Sequence, residues 1–181
     1  MQMKTKVENI VSSITLNQEL DLKKITKAIK EIENPKQFPG IILHLDEPEL
    51  AMLIFRTGKV ICSGARSRKD INQAVEFLLK KLRKAGVRIK NKPIVEIQNI
   101  VASSGMEFKV NLDKLAIECW NTEYEPEQFP GLVYRLDEPK TVMLIFRSGK
   151  IIITGAKSPK QAQVAAEKTR EMVLSYEAVI A

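Results

Sequence analysis

The chain has 181 residues, of which 44% are hydrophobic and 28% charged, a composition typical of a globular protein with one ordinary domain or two small ones. No apolar run approaches the roughly 20 residues that a membrane-spanning helix needs. Two widely separated cysteines and a single histidine exclude a short metal motif, a disulfide framework and a histidine-based catalytic centre, so we expect no enzyme, no cofactor and no metal site.

The spacing of apolar residues predicts the first strand and the first helix. Alternating residues predict a strand near 6–15, with Val7, Asn9 and Val11 on one face. A helix is expected near 21–32, because Asp21 can cap it and apolar residues recur at helical spacing. That apolar stripe consists of Leu22, Ile25 and Ile29.

Three further strands are predicted near 40–46, 50–56 and 59–65, joined by the tight turns "DEP" and "RTG". A longer helix follows near 68–84, and a further strand near 87–95 is expected to lead into the second half. Ser67 caps the helix and Gly86 ends it, with Ile71, Val75, Leu78 and Leu82 on its buried face.

The chain is a tandem duplication. Residues 38–66 and 129–157 are identical at 17 of 29 positions, and "ENIVSS" at 8–13 matches "QNIVAS" at 98–103. We therefore predict two repeats, residues 1–90 and 91–181. Each repeat is expected to be α+β, with an antiparallel sheet and helices on one face.

Helices can cover only one face of such a sheet, yet the strands are apolar on both faces. In "MLIF", Met52 and Ile54 point one way and Leu53 and Phe55 the other. The uncovered set is Val11, Leu53, Phe55 and Ile61 with Asn9 and Ser63 in the first repeat, and Val101, Leu144, Phe146 and Ile152 with Asn99 and Thr154 in the second. An exposed apolar patch of this extent marks an interaction surface; a second core layer and a homodimer seam are the alternatives.

Polar and basic residues in and around this patch favour a DNA-binding groove. Asn amides and Ser or Thr hydroxyls can donate hydrogen bonds to the acceptors of A·T pairs in the minor groove. Cations at the strand ends would flank the apolar residues as phosphate contacts do. These cations are Arg56, Lys59 and Arg66, and Arg147, Lys150 and Lys157.

The net charge of +7 agrees with a polyanionic partner, although a solubilising surface charge is the simpler interpretation. Residues 1–90 hold 18 Lys and Arg against 10 Asp and Glu, whereas residues 91–181 hold 11 against 12. This asymmetry suggests that the two halves face different partners. The N-terminus, "MQMKTKVENI", lacks an apolar signal core, so we expect an intracellular, cytoplasmic protein.

The motifs "QFPG", "LIFRTGK" and "CSGAR", with "EPEQFPG", "LIFRSGK" and "ITGAK", resemble those of the TATA-box-binding protein family in its compact archaeal form. The resemblance covers roughly residues 5–178. It implies a general transcription initiation factor with a ten-stranded, pseudo-twofold saddle that carries its helices on the convex face. It also implies a nucleoid-associated protein that binds and kinks TATA-box DNA through the minor groove, which is a known example of groove deformation.

The resemblance assigns roles to residues of both repeats. Two phenylalanine pairs, Phe38 with Phe55 and Phe129 with Phe146, would be the wedges that enter the DNA. Asn9, Asn99, Ser63 and Thr154 would donate to base edges, and Val11, Val101, Leu53, Leu144, Ile61 and Ile152 would contact the groove. The phosphate contacts would be Arg56, Lys59, Arg66, Arg135, Arg147, Lys150 and Lys157.

Protein partners are also implied. Glu123, Glu125 and Glu127 would contact the basic transcription factor B, with RNA polymerase recruited indirectly; a solvated loop is the alternative. The free protein is a candidate homodimer through its apolar face. The basic residues Lys80, Lys81, Arg83 and Lys84 form either a solvated helix face or a contact with other factors or flanking DNA.

Three positions depart from the family pattern, and one other function stays open. His44 stands where the second repeat has Arg135, Glu49 stands opposite Lys140, and Gln37 precedes Phe38 where some relatives carry a base. These differences weaken the expected phosphate contacts of the first repeat. The alternative function is a saddle-fold accessory module that binds RNA or another structured nucleic acid.

Overall fold

The computed structural model describes residues 3–180 and contains four helices and twelve strands in that range. Ten strands form an antiparallel sheet in the order β2-β3-β4-β5-β1-β6-β11-β10-β9-β8, and β7 and β12 form a second, two-stranded sheet. The predicted α+β class and the ten-stranded sheet are confirmed. In chain order the elements are β1 (Thr5–Thr15), α1 (Leu22–Ala28), β2 (Ile32–Glu33), β3 (Ile41–Asp46), β4 (Glu49–Ile54), β5 (Lys59–Ala65), α2 (Arg68–Lys84), β6 (Ile94–Gly105), β7 (Lys109–Val110), α3 (Leu112–Glu118), β8 (Thr122–Glu123), β9 (Leu132–Leu136), β10 (Thr141–Ile145), β11 (Lys150–Ala156), α4 (Pro159–Ser175) and β12 (Val179–Ile180).

The described chain divides into two compact units, one spanning Asn9–Gln98 and one that joins the residues up to Glu8 to those from Asn99 onward. Side chains of the second unit hold the start of the chain. The Ser103 hydroxyl donates to Glu8 at 2.8 Å, and the Ser104 hydroxyl donates to the Lys4 carbonyl at 2.6 Å. The start of β1, up to Glu8, therefore belongs to the same compact unit as the residues from Asn99 onward.

Each unit places one long helix on the middle of its sheet. In the Asn9–Gln98 unit α2 packs on β5, and in the other unit α4 packs on β11. The helix α2 begins at the predicted serine cap, where Ser67 accepts from the Asp70 amide at 3.2 Å, and α4 begins in the same way, where Ser158 accepts from the Gln161 amide at 3.1 Å. A side-chain cap satisfies an amide that the first helical turn leaves unpaired.

The helices bury the predicted face of the sheet. Met52, Ile54, Val60 and Cys62 are 0% exposed in the first repeat. Their counterparts Met143, Ile145, Ile151 and Ile153 are also 0% exposed. Each such side chain contributes about 1.5–3 kcal/mol by leaving water. The other side of the same strands is called the open face below; its apolar side chains on β4, β5, β10 and β11 are half-buried.

Three sequence predictions about these elements were wrong. The first helix ends at Ala28 instead of residue 32, because Ile29 is already extended (φ −120°, ψ 120°) and leads into β2. No strand occupies 87–93; β6 begins at Ile94. On α2 the buried stripe contains Ala74, whereas Val75 is only half-buried.

The missing strand has a physical explanation. The backbone of 87–93 is held by a side chain, since Gln18 donates to the Arg88 carbonyl at 2.9 Å and accepts from the Lys90 amide at 3.0 Å. The Arg88 carbonyl and the Lys90 amide are thus paired without a sheet ladder. Gly86 begins the segment with φ of +79°, which favours glycine and ends α2.

Candidate nucleic-acid interface

Strand register builds an apolar row on the open face of each unit. Leu53 on β4 lies opposite Ile42 on β3 and Ile61 on β5. In the other unit Leu144 lies opposite Val133 and Ile152. All six side chains are half-buried, whereas their neighbours along each strand are buried under a helix.

Val11 and Val101, the remaining predicted groove residues, are likewise half-buried on the strands next to these rows. Sequence reasoning missed Ile42 and Val133, which complete the rows. The alternation of side chains along the strand could have identified them. Ile42 and Val133 each follow a buried residue on their strand, and they pair with the predicted groove residues Leu53 and Leu144.

The four phenylalanines form two pairs with nearly the same geometry. The ring centroids of Phe38 and Phe55 are 5.4 Å apart with planes at 59°, and those of Phe129 and Phe146 are 5.9 Å apart at 67°. Phe129 is 42% exposed. Tilted and edge-to-face contacts are favourable aromatic arrangements, so each pair is held together as one unit.

The glycine of each "FPG" motif makes room for its pair. A Cβ at Gly40 would lie 2.6 Å from the Ile54 carbonyl oxygen and 3.0 Å from the Phe38 ring. A Cβ at Gly131 would lie 2.7 Å from the Phe129 ring. Any larger residue would displace the rings, which explains why the motif repeats as a block with its phenylalanine.

An asparagine on the first strand of each repeat bridges an irregularity in the sheet. Asn9 Nδ2 donates to Ser63 Oγ at 3.2 Å, and its Oδ1 accepts from the Gly64 amide at 2.6 Å. Asn99 makes the same bonds to Thr154 (3.2 Å) and Gly155 (2.6 Å). The pairing register of β1 with β5 and of β11 with β6 shifts at these places, as in a β-bulge.

This arrangement leaves hydrogen-bond donors on the open face. The amide orientation is fixed because only Oδ1 can accept from the glycine N–H. One amide hydrogen of each asparagine is used toward the hydroxyl oxygen, and the second is not needed for that bond. Each hydroxyl accepts from the amide and keeps its own hydrogen to donate.

The predicted phosphate contacts are exposed side chains, and Arg56 and Arg135 among them are paired with carboxylates. Arg56 lies 3.6 Å from Glu19, and Arg135 lies 3.6 Å from Glu123. His44, which replaces the arginine in the first repeat, lies 3.2 Å from Glu33. The exposed set also includes Lys59, Arg66, Arg147, Lys150 and Lys157.

The acidic residues predicted to contact a protein partner lie in and after β8, at the edge of the sheet. Glu123 is the partner of Arg135, while the Glu125 carbonyl accepts from the amides of Gln128 and Phe129, both at 3.0 Å. These bonds make a turn that leads from Glu125 to the second phenylalanine pair. Glu127 is exposed on the same turn.

Comparison with known proteins agrees with this geometry. A family model described as "Transcription factor TFIID (or TATA-binding protein, TBP)" matches residues 4–85 and 94–176. The TATA-box-binding protein of Archaeoglobus fulgidus is 48% identical over 93% of this chain and 93% of its own length. That of Pyrodictium occultum is 45% identical over 96% of this chain and 87% of its own. The solved Methanococcus jannaschii TBP superimposes with a TM-score of 0.88 at 43% identity, covering 95% of this chain and 99% of that one.

The chain belongs to the TATA-binding protein family. The two matched segments contain both phenylalanine pairs, both asparagine bridges and every predicted phosphate contact. The family is one of transcription factors, so the prediction of a non-enzymatic protein is confirmed.

Two titratable side chains outside the predicted interface have pKa values shifted by burial. Burial raises the pKa of the Cys62 thiol, which lies at 0% exposure under α2. Burial likewise raises the pKa of Tyr134. Within residues 3–180 there is no His, Cys, Asp and Glu group that could hold a metal ion. No helix in that range is both long and apolar enough to cross a membrane.

Proposed function

We propose that this protein is a general transcription initiation factor that binds TATA-box promoter DNA in the minor groove and kinks it. The observation that carries the proposal is the duplicated open face, which combines an apolar row, a phenylalanine pair and an asparagine bridge in each unit. A face that served only as a core layer or as a homodimer seam would not need polar donors at repeat-related places.

The phenylalanine pairs are the proposed wedges. Inserting a ring between base pairs costs a few kcal/mol of stacking, and the kink brings more apolar protein surface against a widened groove. Phe38 with Phe55 would kink one step, and Phe129 with Phe146 another. Pyrimidine–purine steps such as TA deform most readily, so the wedges favour TATA-like sites.

Base discrimination follows from the groove itself. Adenine N3 and thymine O2 accept hydrogen bonds there, while guanine adds an N2 amino group. Asn9, Asn99, Ser63 and Thr154 are the proposed donors to those acceptors. The apolar rows leave no acceptor for a guanine amino group, which excludes G·C pairs from the centre of the site.

The exposed cations supply the proposed phosphate contacts. Each contact that neutralises a phosphate releases a counterion and adds about 0.9 to the slope of log affinity against log salt. Such contacts hold the duplex in place and carry little sequence information.

Assembly follows DNA binding in this proposal. Glu123, Glu125 and Glu127 form the contact with the basic transcription factor B, which in turn recruits RNA polymerase. The protein acts at the nucleoid in the cytoplasm. In the absence of DNA the apolar open face is the proposed site of homodimer formation.

A gel-shift comparison tests the proposal. The purified protein is titrated against a TATA duplex, a duplex of the same composition in scrambled order, and a structured RNA of matched length. The proposal predicts selective binding to the TATA duplex, at least about a thousandfold above nonspecific binding. Equal or tighter binding to the RNA would instead support an RNA-binding accessory module.

A further inference from the structure

The two most exposed large hydrophobic side chains in residues 3–180 lie three positions apart. Ile117 on α3 is 85% exposed, and Trp120 in the turn that follows is 88% exposed. The next most exposed residue of this kind, Ile94, reaches only 49%. Large apolar side chains this bare mark an interaction site more often than a folding requirement.

The first repeat shows that the fold does not need them. The N-cap residues Asp21 and Asn111 align α1 with α3, and the same offset aligns Lys27 with Ile117 and Lys30 with Trp120. Both lysines are exposed. The helix and the turn after it thus differ between the repeats at two exposed positions: the first repeat has lysines there, and the second has Ile117 and Trp120.

The turn that carries Trp120 is well ordered by its neighbours. Thr122 Oγ1 donates to the Cys119 carbonyl at 2.7 Å, and Asn121 Nδ2 donates to the Arg135 carbonyl at 2.7 Å. Cys119 Sγ also contacts Asn121 Oδ1 at 3.0 Å. The turn on both sides of Trp120 is therefore held in place, so a partner would meet the indole on a preorganised turn.

The acidic residues around Ile117 and Trp120 indicate the charge of the partner. Glu118 adjoins Ile117 in sequence, and the exposed acids Glu123 and Glu125 follow along and after the edge strand β8, which packs against α3. Of the nearby cations, Arg135 pairs with Glu123, and Lys114 on α3 donates to the Glu177 carbonyl at 3.4 Å. Phosphates would be repelled by this acidic border, which excludes nucleic acid as the occupant.

We infer that Ile117 and Trp120 are the apolar anchor of a protein-docking surface whose partner offers an apolar pocket bordered by Lys and Arg. Tryptophan is the residue type most enriched among energetically dominant interface positions, and surrounding charges add selectivity and faster association. This inference rests on the proposed function, in which the basic partner of the acidic segment is transcription factor B. It extends that contact from the acidic segment to the end of α3.

The test replaces the anchor with the residues of the first repeat. Ile117→Lys/Trp120→Lys places on α3 what α1 already carries, so the helix keeps its fold. Lys27→Ala/Lys30→Ala at the matching positions of α1 is the control. Binding to a TATA duplex is measured by gel shift with and without transcription factor B. We expect both variants to bind the duplex within about twofold of the wild type, and only the anchor variant to lose at least about tenfold in affinity for transcription factor B.

A spectroscopic readout separates the two proposals. Trp120 is the single tryptophan of the chain, so biosynthetic 5-fluorotryptophan gives one fluorine resonance. Addition of transcription factor B should shift that resonance even without DNA, and this result does not depend on TATA binding. An unshifted resonance together with unchanged affinity of the lysine variant would overturn the docking surface. A shift that depends only on the concentration of the chain itself would assign the face to self-association and overturn it equally.

Discussion

The two repeats present different charges beside nearly identical open faces. The first repeat has Glu19, His44 and Glu49 where the second has Lys109, Arg135 and Lys140. Two of these exchanges are Glu against Lys and one is neutral His against Arg, so the second repeat is more positive here by five charges. Glu19 also pairs with Arg56, whereas its counterpart Lys109 cannot pair with Arg147.

At these three positions the second repeat is the more positive one, although the first half of the chain has the higher net charge. The basic excess of the first half lies largely in residues 77–90, which contain six Lys and Arg and no acid. Much of that segment belongs to α2, which packs on the covered side of β5. The net charge of a half therefore says little about its DNA-facing edge, and the more neutral half carries the stronger proposed phosphate contacts.

The largest expected effect is shared by both repeats. Phe38→Ala/Phe55→Ala and Phe129→Ala/Phe146→Ala should each weaken TATA binding by roughly 30-fold or more and reduce the bend, because base–aromatic contacts are worth about 1–3 kcal/mol each. End-to-end energy transfer on a doubly labelled duplex measures the bend. Thermal unfolding is the control, since half-exposed rings contribute little to the core. A bend as large as that of the wild type in either variant would show that its pair is not a wedge.

The asparagine bridges should also behave alike. Asn9→Ala and Asn99→Ala each remove the acceptor of a part-buried glycine amide, which costs about 1–3 kcal/mol of unfolding free energy. Urea unfolding compares the two variants with the wild type. A loss in one repeat only would mean that the bridges differ in role despite their equal distances.

Charge exchanges at the sheet edges should change the salt dependence of TATA binding in opposite directions in the two repeats. Exchanging the three residues of the second repeat (Lys109→Glu/Arg135→His/Lys140→Glu) should lower the salt slope of TATA binding by up to about three, since each lost phosphate contact removes about 0.9. The reverse exchange in the first repeat (Glu19→Lys/His44→Arg/Glu49→Lys) should raise it. Lys168→Glu on α4, the helix that packs on the covered side of β11, is the control for a charge change without an assigned DNA contact. Unchanged slopes in both exchanges would remove Arg135 from the phosphate contacts and show that the other exchanged positions add none.

The smallest effect concerns a bond found only in the first repeat. Lys81 lies 2.5 Å from Glu31, and the counterparts are Met172 and Asn121, which cannot pair. The hydrogen bond from Lys81 is the main cause that lowers the pKa of Glu31 below its usual 4.5. Because the folded pKa is the lower one, the stabilisation is present above that usual value and is lost as pH falls through the folded pKa. Glu31→Gln should therefore unfold slightly earlier in urea than the wild type at neutral pH, with no difference in strong acid.

The duplication made much of the fold predictable. The strands from "FPG" to "GA" and the caps at Ser67 and Ser158 follow from local patterns that occur twice. The prediction that one apolar face stays uncovered followed from the apolar residues on both sides of one strand. The phenylalanine pairs required the family resemblance, because Phe38 and Phe55 are 17 positions apart and no local rule brings them to 5.4 Å.

The failures involve contacts that are distant in sequence. Residues 87–93 looked like a strand, but the side chain of Gln18, about seventy positions earlier, takes their backbone hydrogen bonds. The short edge strands β2 and β8 were missed because two residues have no periodicity. The roles of Glu19 and Glu33 were also invisible, since an ion pair between neighbouring segments leaves no pattern in either one.

Replacing every A·T pair of the TATA duplex by an inosine·cytosine pair tests the central claim most directly. The exchange alters the major groove and keeps the minor-groove acceptors without a guanine amino group. If the open face binds the minor groove, affinity and bend should stay close to those of the TATA duplex, while G·C pairs at the same positions abolish selective binding. Loss of binding to the inosine duplex would show that the protein reads the major groove, which contradicts the account.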